Sequence, residues 1–176
     1  MKRQQLEHIL RAASGITGAE QFVVIGSQAI LGQFKSPPDD LLVSIEADIF
    51  SLRSSEDADL IDGSIGEASP FHQAFGYYAH GVGEETAILP AGWKDRLIPL
   101  SGPATGGAVG LCLEVHDLAV SKLVAGREKD MEFLAGLLRH HLVDLQIIRQ
   151  RLAQTAVDPR LLTACNARLQ KAIEMI

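Results

Sequence analysis

The 176-residue chain has only two cysteines, Cys112 and Cys165, set far apart in apolar surroundings. That excludes a disulfide framework and suits two buried thiols in a reducing compartment. No apolar run approaches the roughly 18 residues of a membrane span, and the opening MKRQQLEHIL mixes charge and apolar residues too evenly for a signal peptide. The expectation is a soluble, cytoplasmic protein with no membrane partner. Basic charge is also scarce, since 16 Lys and Arg stand against 22 Asp and Glu, for a formal charge of -6. Any attraction to a phosphate backbone must come from a local basic patch. Aromatic residues make up 5% of the chain, so Trp93 and the pair Tyr77 and Tyr78 read as core or loop anchors rather than as a platform for stacking bases. No Gly-Lys-Ser/Thr motif is present, which excludes the long phosphate-binding loop. His72, His80, His116, His140 and His141 fit no zinc-binding spacing with Cys112.

What is present is enough for one packed domain: 47% of the residues are apolar, and the length predicts a single unit over 1–176. Leu6, Ile9, Leu10 and Ala13 form one helical stripe. A short apolar run, Phe22 to Ile25, then passes through Gly26-Ser27 into a segment with helical spacing. After the Pro37-Pro38 loop, residues 42 to 50 alternate as a strand does. Further strands are expected over 75–80, 86–89, 96–100 and 110–115, with a short helix near 57–61. From there the chain reads as helical: one long helix from Leu118 to about His140 with Asp117 as its cap, then segments over 141–153 and 159–174, the last opened by Asp158-Pro159. The expected fold class is α/β (α+β), with a mixed-sheet core over about 1–116 and a helical part over about 117–176.

Within that frame the chemistry concentrates in a few residues. On the strand over 42–50, Ser44, Glu46, Asp48 and Phe50 share one face, opposite Val43, Ile45, Ala47 and Ile49. Side chains two apart on a strand lie roughly 6 to 7 Å apart, so Glu46 and Asp48 can address one divalent ion or two adjacent ones. Two like charges in a half-enclosed site need a compensating cation. At Gly26-Ser27 a tight turn offers backbone N–H groups and a hydroxyl to an oxyanion, although Ser27 also suits a plain helix cap. Taken together, the helix start with Ser27 would hold the β- and γ-phosphates of a nucleoside triphosphate, while Glu46 and Asp48 hold Mg²⁺ or Mn²⁺ against them.

These residues resemble the nucleotidyltransferase superfamily of the DNA polymerase β type, and within it the small bacterial proteins related to the toxin half of abortive-infection toxin–antitoxin pairs. In that superfamily a strand ends in Gly-Gly or Gly-Ser, a helix follows, and the next strand carries two carboxylates around one apolar residue. Here Val24-Ile25-Gly26-Ser27 and Glu46-Ala47-Asp48-Ile49 correspond, with Ser44 in the place of a frequent Thr. The group's Lys, Arg and Lys-Asp on one helix look like Lys122, Arg127, Lys129 and Asp130, so the resemblance spans about residues 20 to 135. It departs in having Glu at the first carboxylate and eighteen residues between Ser27 and Glu46.

The resemblance implies a minimal nucleotidyltransferase fold that moves an NMP group from an NTP to a hydroxyl on RNA, such as tRNA, or on protein. Its alternative is a catalytically degenerate member that binds a partner protein as an antitoxin or scaffold. The implied catalytic set is Glu46, Asp48 and a third carboxylate, for which Glu114 is the first choice and Asp117 the second. Gly26, Ser27, Ser44, Lys122, Arg127, Lys129 and Asp130 are the implied nucleotide-binding residues. On one continuous helix Lys122 and Lys129 would lie nearly in line, two turns apart, with Asp130 orienting Arg127 or a lysine. Gly126 would then be a gap in that helix, at a cost of about 1 kcal/mol.

Overall fold

The computed structural model describes all 176 residues. Helix α1 (Arg3–Thr17) carries its apolar stripe Leu6, Ile9, Leu10 and Ala13 fully into the core. It leads to β1 (Gln21–Val24), a 3₁₀ turn over Ser27–Ala29, and the single-turn helix α2 (Ile30–Gln33). Then come β2 (Glu46–Ser51), α3 (Asp57–Ile65), α4 (Pro70–Phe75), β3 (Tyr78–Gly81), β4 (Ile98–Leu100) and β5 (Val109–Cys112). Four helices end the chain: α5 (Val115–Ala125), α6 (Glu128–Arg139), α7 (Leu145–Ala153) and α8 (Pro159–Glu174).

The five strands form one mixed sheet in the order β3-β2-β1-β5-β4. β1 pairs antiparallel with β2 and parallel with β5, β2 pairs parallel with β3, and β4 pairs antiparallel with β5. A parallel β2/β3 pair needs a crossover, which α3 and α4 supply. One contiguous apolar cluster joins both faces of the sheet to the C-terminal helices, with Phe22, Ile30, Ile49, Leu113, Leu118 and Leu134 wholly buried within it. This is the mixed α/β architecture with C-terminal helices that the sequence predicts. Both thiols lie in it as free, buried cysteines, and burial pushes the Cys112 thiol up to about 12.

Several local expectations are corrected. The strand over 42–50 begins only at Glu46; Val43 and Ile45 precede it and are exposed, while Ala47 and Ile49 are buried. Residues 70–75, ahead of β3, are helical because Ser69 caps the turn, accepting from the His72 N–H, and Pro70 opens it. Residues 86–89 form no strand: a 3₁₀ turn covers Glu84–Thr86 and the rest is irregular. The long helix over 118–140 is two helices, because Gly126 ends α5 in the left-handed region at φ 66°. The Arg168 guanidinium lies against that glycine and donates to the Leu123 and Val124 carbonyls at 2.7 and 3.0 Å, so a side chain there would meet both strain and a clash. Gly126 is therefore a helix stop, not a gap in a helix. Asp117 does not cap α5; Glu114 does, accepting from the His116 N–H at 3.1 Å.

Candidate active site

The site forms where two neighbouring parallel strands present polar side chains on the same face. The β2/β3 register pairs Glu46 with Tyr78, Ala47 with Ala79 and Asp48 with His80. Ala47 and Ala79 turn into the core and are fully buried, which leaves Glu46, Asp48, Tyr78 and His80 facing a cleft. His80 Nδ1 lies 3.1 Å from Asp48 Oδ1 and 3.2 Å from Glu46 Oε1. One ligand atom each from Glu46, Asp48 and His80 falls within 4.8 Å of the others, a spacing that can hold a metal ion. The Tyr78 hydroxyl donates to Glu46 Oε2 at 3.1 Å.

Burial acts to raise both carboxyls, and the neighbours divide the outcome between them. At Asp48 burial and the hydrogen bond and charge of Glu46 outweigh His80, so its pKa is raised. At Glu46 burial is outweighed by hydrogen bonds from Asp48 and Tyr78 and by the charges of His80 and Lys129, so its pKa is lowered. For His80, burial opposes the charge, yet the hydrogen bond to Asp48 and the nearby carboxylates raise the imidazole overall. Burial, then Glu46, pushes the Tyr78 phenol up to about 12, so it stays a donor. The two carboxylates thus share one cluster with an imidazole whose charged form they favour.

Gly26, at the end of β1, explains how Asp48 reaches this position. The Ile25 N–H donates to the Asp48 carbonyl at 3.1 Å, which holds the turn against β2. A Cβ on Gly26 would lie 2.1 Å from Asp48 Oδ2, so the carboxylate occupies the space that glycine leaves free. Gly26, rather than Ser27, stands at the cap position of the 3₁₀ turn, and Ser27 lines the cleft. The helix expected after Ser27 amounts to two single turns. Ser44 also lines the cleft, and its hydroxyl braces the start of β2 by accepting from the Glu46 N–H at 3.2 Å.

The part of the cleft lined by α5 and α6 is basic apart from Glu132. Lys122 from α5 and Arg127 and Lys129 from the start of α6 line the same cleft of about 840 Å³, with apolar Ile88, Val124, Phe133 and Leu161 among its other residues. Because α5 and α6 are separate, the two lysines converge from different helices instead of aligning along one. Asp130 is buried behind them. It pairs with Lys122 Nζ at 3.1 Å and takes the Arg127 guanidinium on both oxygens, at 2.7 and 3.2 Å, while also accepting the Arg127 N–H. Burial lowers the Lys122 pKa, with Asp130 offsetting part of that. At Asp130 burial is outweighed by Arg127 and Lys122, and its pKa is lowered.

A lowered carboxyl pKa contributes stability that is present above the unfolded value and lost as pH falls through the folded one. Replacing Asp130 by Asn should therefore cost about 3 kcal/mol near neutral pH, chiefly because the buried Lys122 ammonium loses its partner, with little added by the exposed Arg127. The variant should also lack part of the acid-induced loss below about pH 4. Urea unfolding of both proteins from pH 3 to 7 checks this; parallel stability curves would contradict it.

Neither choice for a third carboxylate reaches the cleft. β5 stops at Cys112, and Glu114 turns away as the α5 cap, with its carboxylate held by His116 and Arg151. Asp117 is wholly buried in the first turn of α5, bonded by Arg96 at 2.9 Å through two nitrogens and by Arg151 at 2.9 Å. Both carboxylates thus tie α5 to α7, and Asp117 also ties it to the segment before β4. The third group that converges on the carboxylate pair is His80, which sequence spacing alone does not single out. Its signal was the alternation Tyr78-Ala79-His80, which mirrors Glu46-Ala47-Asp48 with alanine inward in both.

A family described as a nucleotidyltransferase of unknown function, DUF6036, matches residues 4–169. The chain belongs to this family. Membership spans α1 through most of α8, so the sheet, the carboxylate cleft and the helical wall all belong to the nucleotidyltransferase unit. No curated protein and no solved structure matches the chain.

Proposed function

We propose that this protein moves an NMP group from an NTP to a hydroxyl on RNA or protein, with a divalent cation, Mg²⁺ or Mn²⁺, held by Glu46 and Asp48. The observation that carries the reading is the convergence of these carboxylates and the basic wall of Lys122, Arg127 and Lys129 in one cleft. A cation bound there would neutralise the carboxylates and polarise phosphoryl oxygens as a Lewis acid. Lys122, Arg127 and Lys129 supply the positive charge that a triphosphate needs on its far side, and Asp130 orients Arg127 and Lys122 for it. Gly26 and Ser27 let backbone and hydroxyl approach the phosphates, and Ser44 holds Glu46 in register. The cleft volume lies within the roughly 300 to 1,000 Å³ of small-ligand sites.

The test is transfer itself: the purified protein is incubated with each labelled NTP, Mg²⁺ or Mn²⁺, total tRNA and cell extract. Label on a macromolecule, dependent on metal, is expected. A specific observation favours a second reading, because Glu114 and Asp117 are both committed to structural pairs. The protein would then be a non-catalytic member that keeps the fold and acts as a protein-binding antitoxin or scaffold. Metal-dependent NTP binding with no transfer to any acceptor would favour it.

Lys122 gives a graded check on nucleotide binding. Loss of one charge-assisted contact to phosphate is worth about 1.5 to 3 kcal/mol. Lys122→Ala should weaken metal-dependent NTP binding by about tenfold or more in a calorimetric titration. An unchanged affinity would remove Lys122 from the phosphate site.

A further inference from the structure

The donor that completes the carboxylate pair is an imidazole nitrogen. Around a six-coordinate ion with bonds of about 2.1 Å, adjacent ligand atoms lie about 3.0 Å apart, and around a four-coordinate ion about 3.4 Å. The two distances from His80 Nδ1, 3.1 and 3.2 Å, are hydrogen-bond and ion-pair distances in the metal-free chain that already lie close to such edges. An imidazole that merely supported a ligating carboxylate from behind would meet one carboxylate, on the side away from the ion. His80 Nδ1 instead faces one oxygen from each of Glu46 and Asp48, inside the cluster. Backbone pairing imposes this placement, since His80 sits directly across from Asp48 on the parallel neighbour.

Imidazole changes which ion the site prefers. Mg²⁺ takes oxygen donors and gives up water reluctantly, whereas first-row transition ions also accept imidazole nitrogen, Mn²⁺ least strongly among them. We infer that His80 is a metal ligand through Nδ1 and that it makes the Glu46–Asp48–His80 site select Mn²⁺ over Mg²⁺. The inference rests on the proposed use of this cleft for a divalent cation. It adds a donor, and with it a selectivity, that the carboxylate pair alone does not have. Tyr78 supports the arrangement by holding Glu46 Oε2, leaving Oε1 facing His80 Nδ1.

The experiment is electron paramagnetic resonance on the full chain loaded with Mn²⁺ alone. Pulsed spectra should show modulation from a directly bound ¹⁴N, absent in His80→Ala. In competition titrations Mn²⁺ should bind at least about tenfold more tightly than Mg²⁺, and His80→Asp should bring the ratio to about threefold or less. Because His80 is about half exposed at the cleft rim, neither substitution touches the core. If Mn²⁺ binds and is lost on Asp48→Asn, yet shows no nitrogen modulation and the same ratio in His80→Ala, the inference falls while the carboxylate site stands. If neither ion binds to the native chain, both fall together.

Discussion

Asp48→Asn should abolish metal-dependent NTP binding and cut NMP transfer by about a thousandfold, while leaving the fold at least as stable as before. The activity side follows from charge: the amide keeps the shape of the carboxylate but removes the negative oxygen that a divalent ion requires. The stability side follows from the surroundings. Asp48 is half-buried, its carboxyl is raised by burial and by Glu46, and an ionised pair of carboxylates without a metal repels itself. Removing one of the two charges relieves that repulsion. Calorimetric NTP titration with and without Mn²⁺, set beside thermal unfolding of the metal-free proteins, separates the two effects. A variant that loses activity by unfolding would make Asp48 a structural residue.

Gly26→Ala should lower transfer by about a hundredfold with the fold retained. The added Cβ meets Asp48 Oδ2 at 2.1 Å and its Cγ at 3.0 Å, well inside contact distance. Backbone strain is not the cause, because Gly26 has φ -81°, which alanine adopts freely. The carboxylate must swing away, and it leaves both His80 and the ion position. The structural cost is about 1 to 3 kcal/mol, typical of a modest overpacking. The expected pattern is a Mn²⁺ affinity reduced about tenfold with cooperative unfolding preserved. Normal metal affinity would mean that Asp48 can give way at no functional cost.

The residues that act through local pattern were legible in the sequence. Glu46 and Asp48 share a face because strand periodicity demands it, and Gly26-Ser27 lies at a strand end because the apolar run stops there. Arg127 and Asp130 pair three residues apart as helical spacing predicts, though at a helix start instead of its middle. What was hidden depends on contacts between distant segments. His80 joins the carboxylates only through the β2/β3 register, thirty-two positions along the chain. Glu114 alternates correctly for a strand, but β5 ends two residues earlier and the side chain is spent on capping. The break at Gly126 required Arg168, from α8, to reveal that a glycine in a helical pattern was a terminus. In each case a local pattern allowed two outcomes, and a partner far along the chain selected one.

The most direct test of the central claim is a crystal structure of the protein with Mn²⁺ and an NTP analogue that resists cleavage at the α-phosphate. The account predicts an anomalous Mn²⁺ peak between the Glu46 and Asp48 carboxylates, with the triphosphate spanning from Ser27 toward Lys122 and Arg127. A triphosphate bound elsewhere, or one bound in this cleft with no metal at Glu46 and Asp48, would contradict it.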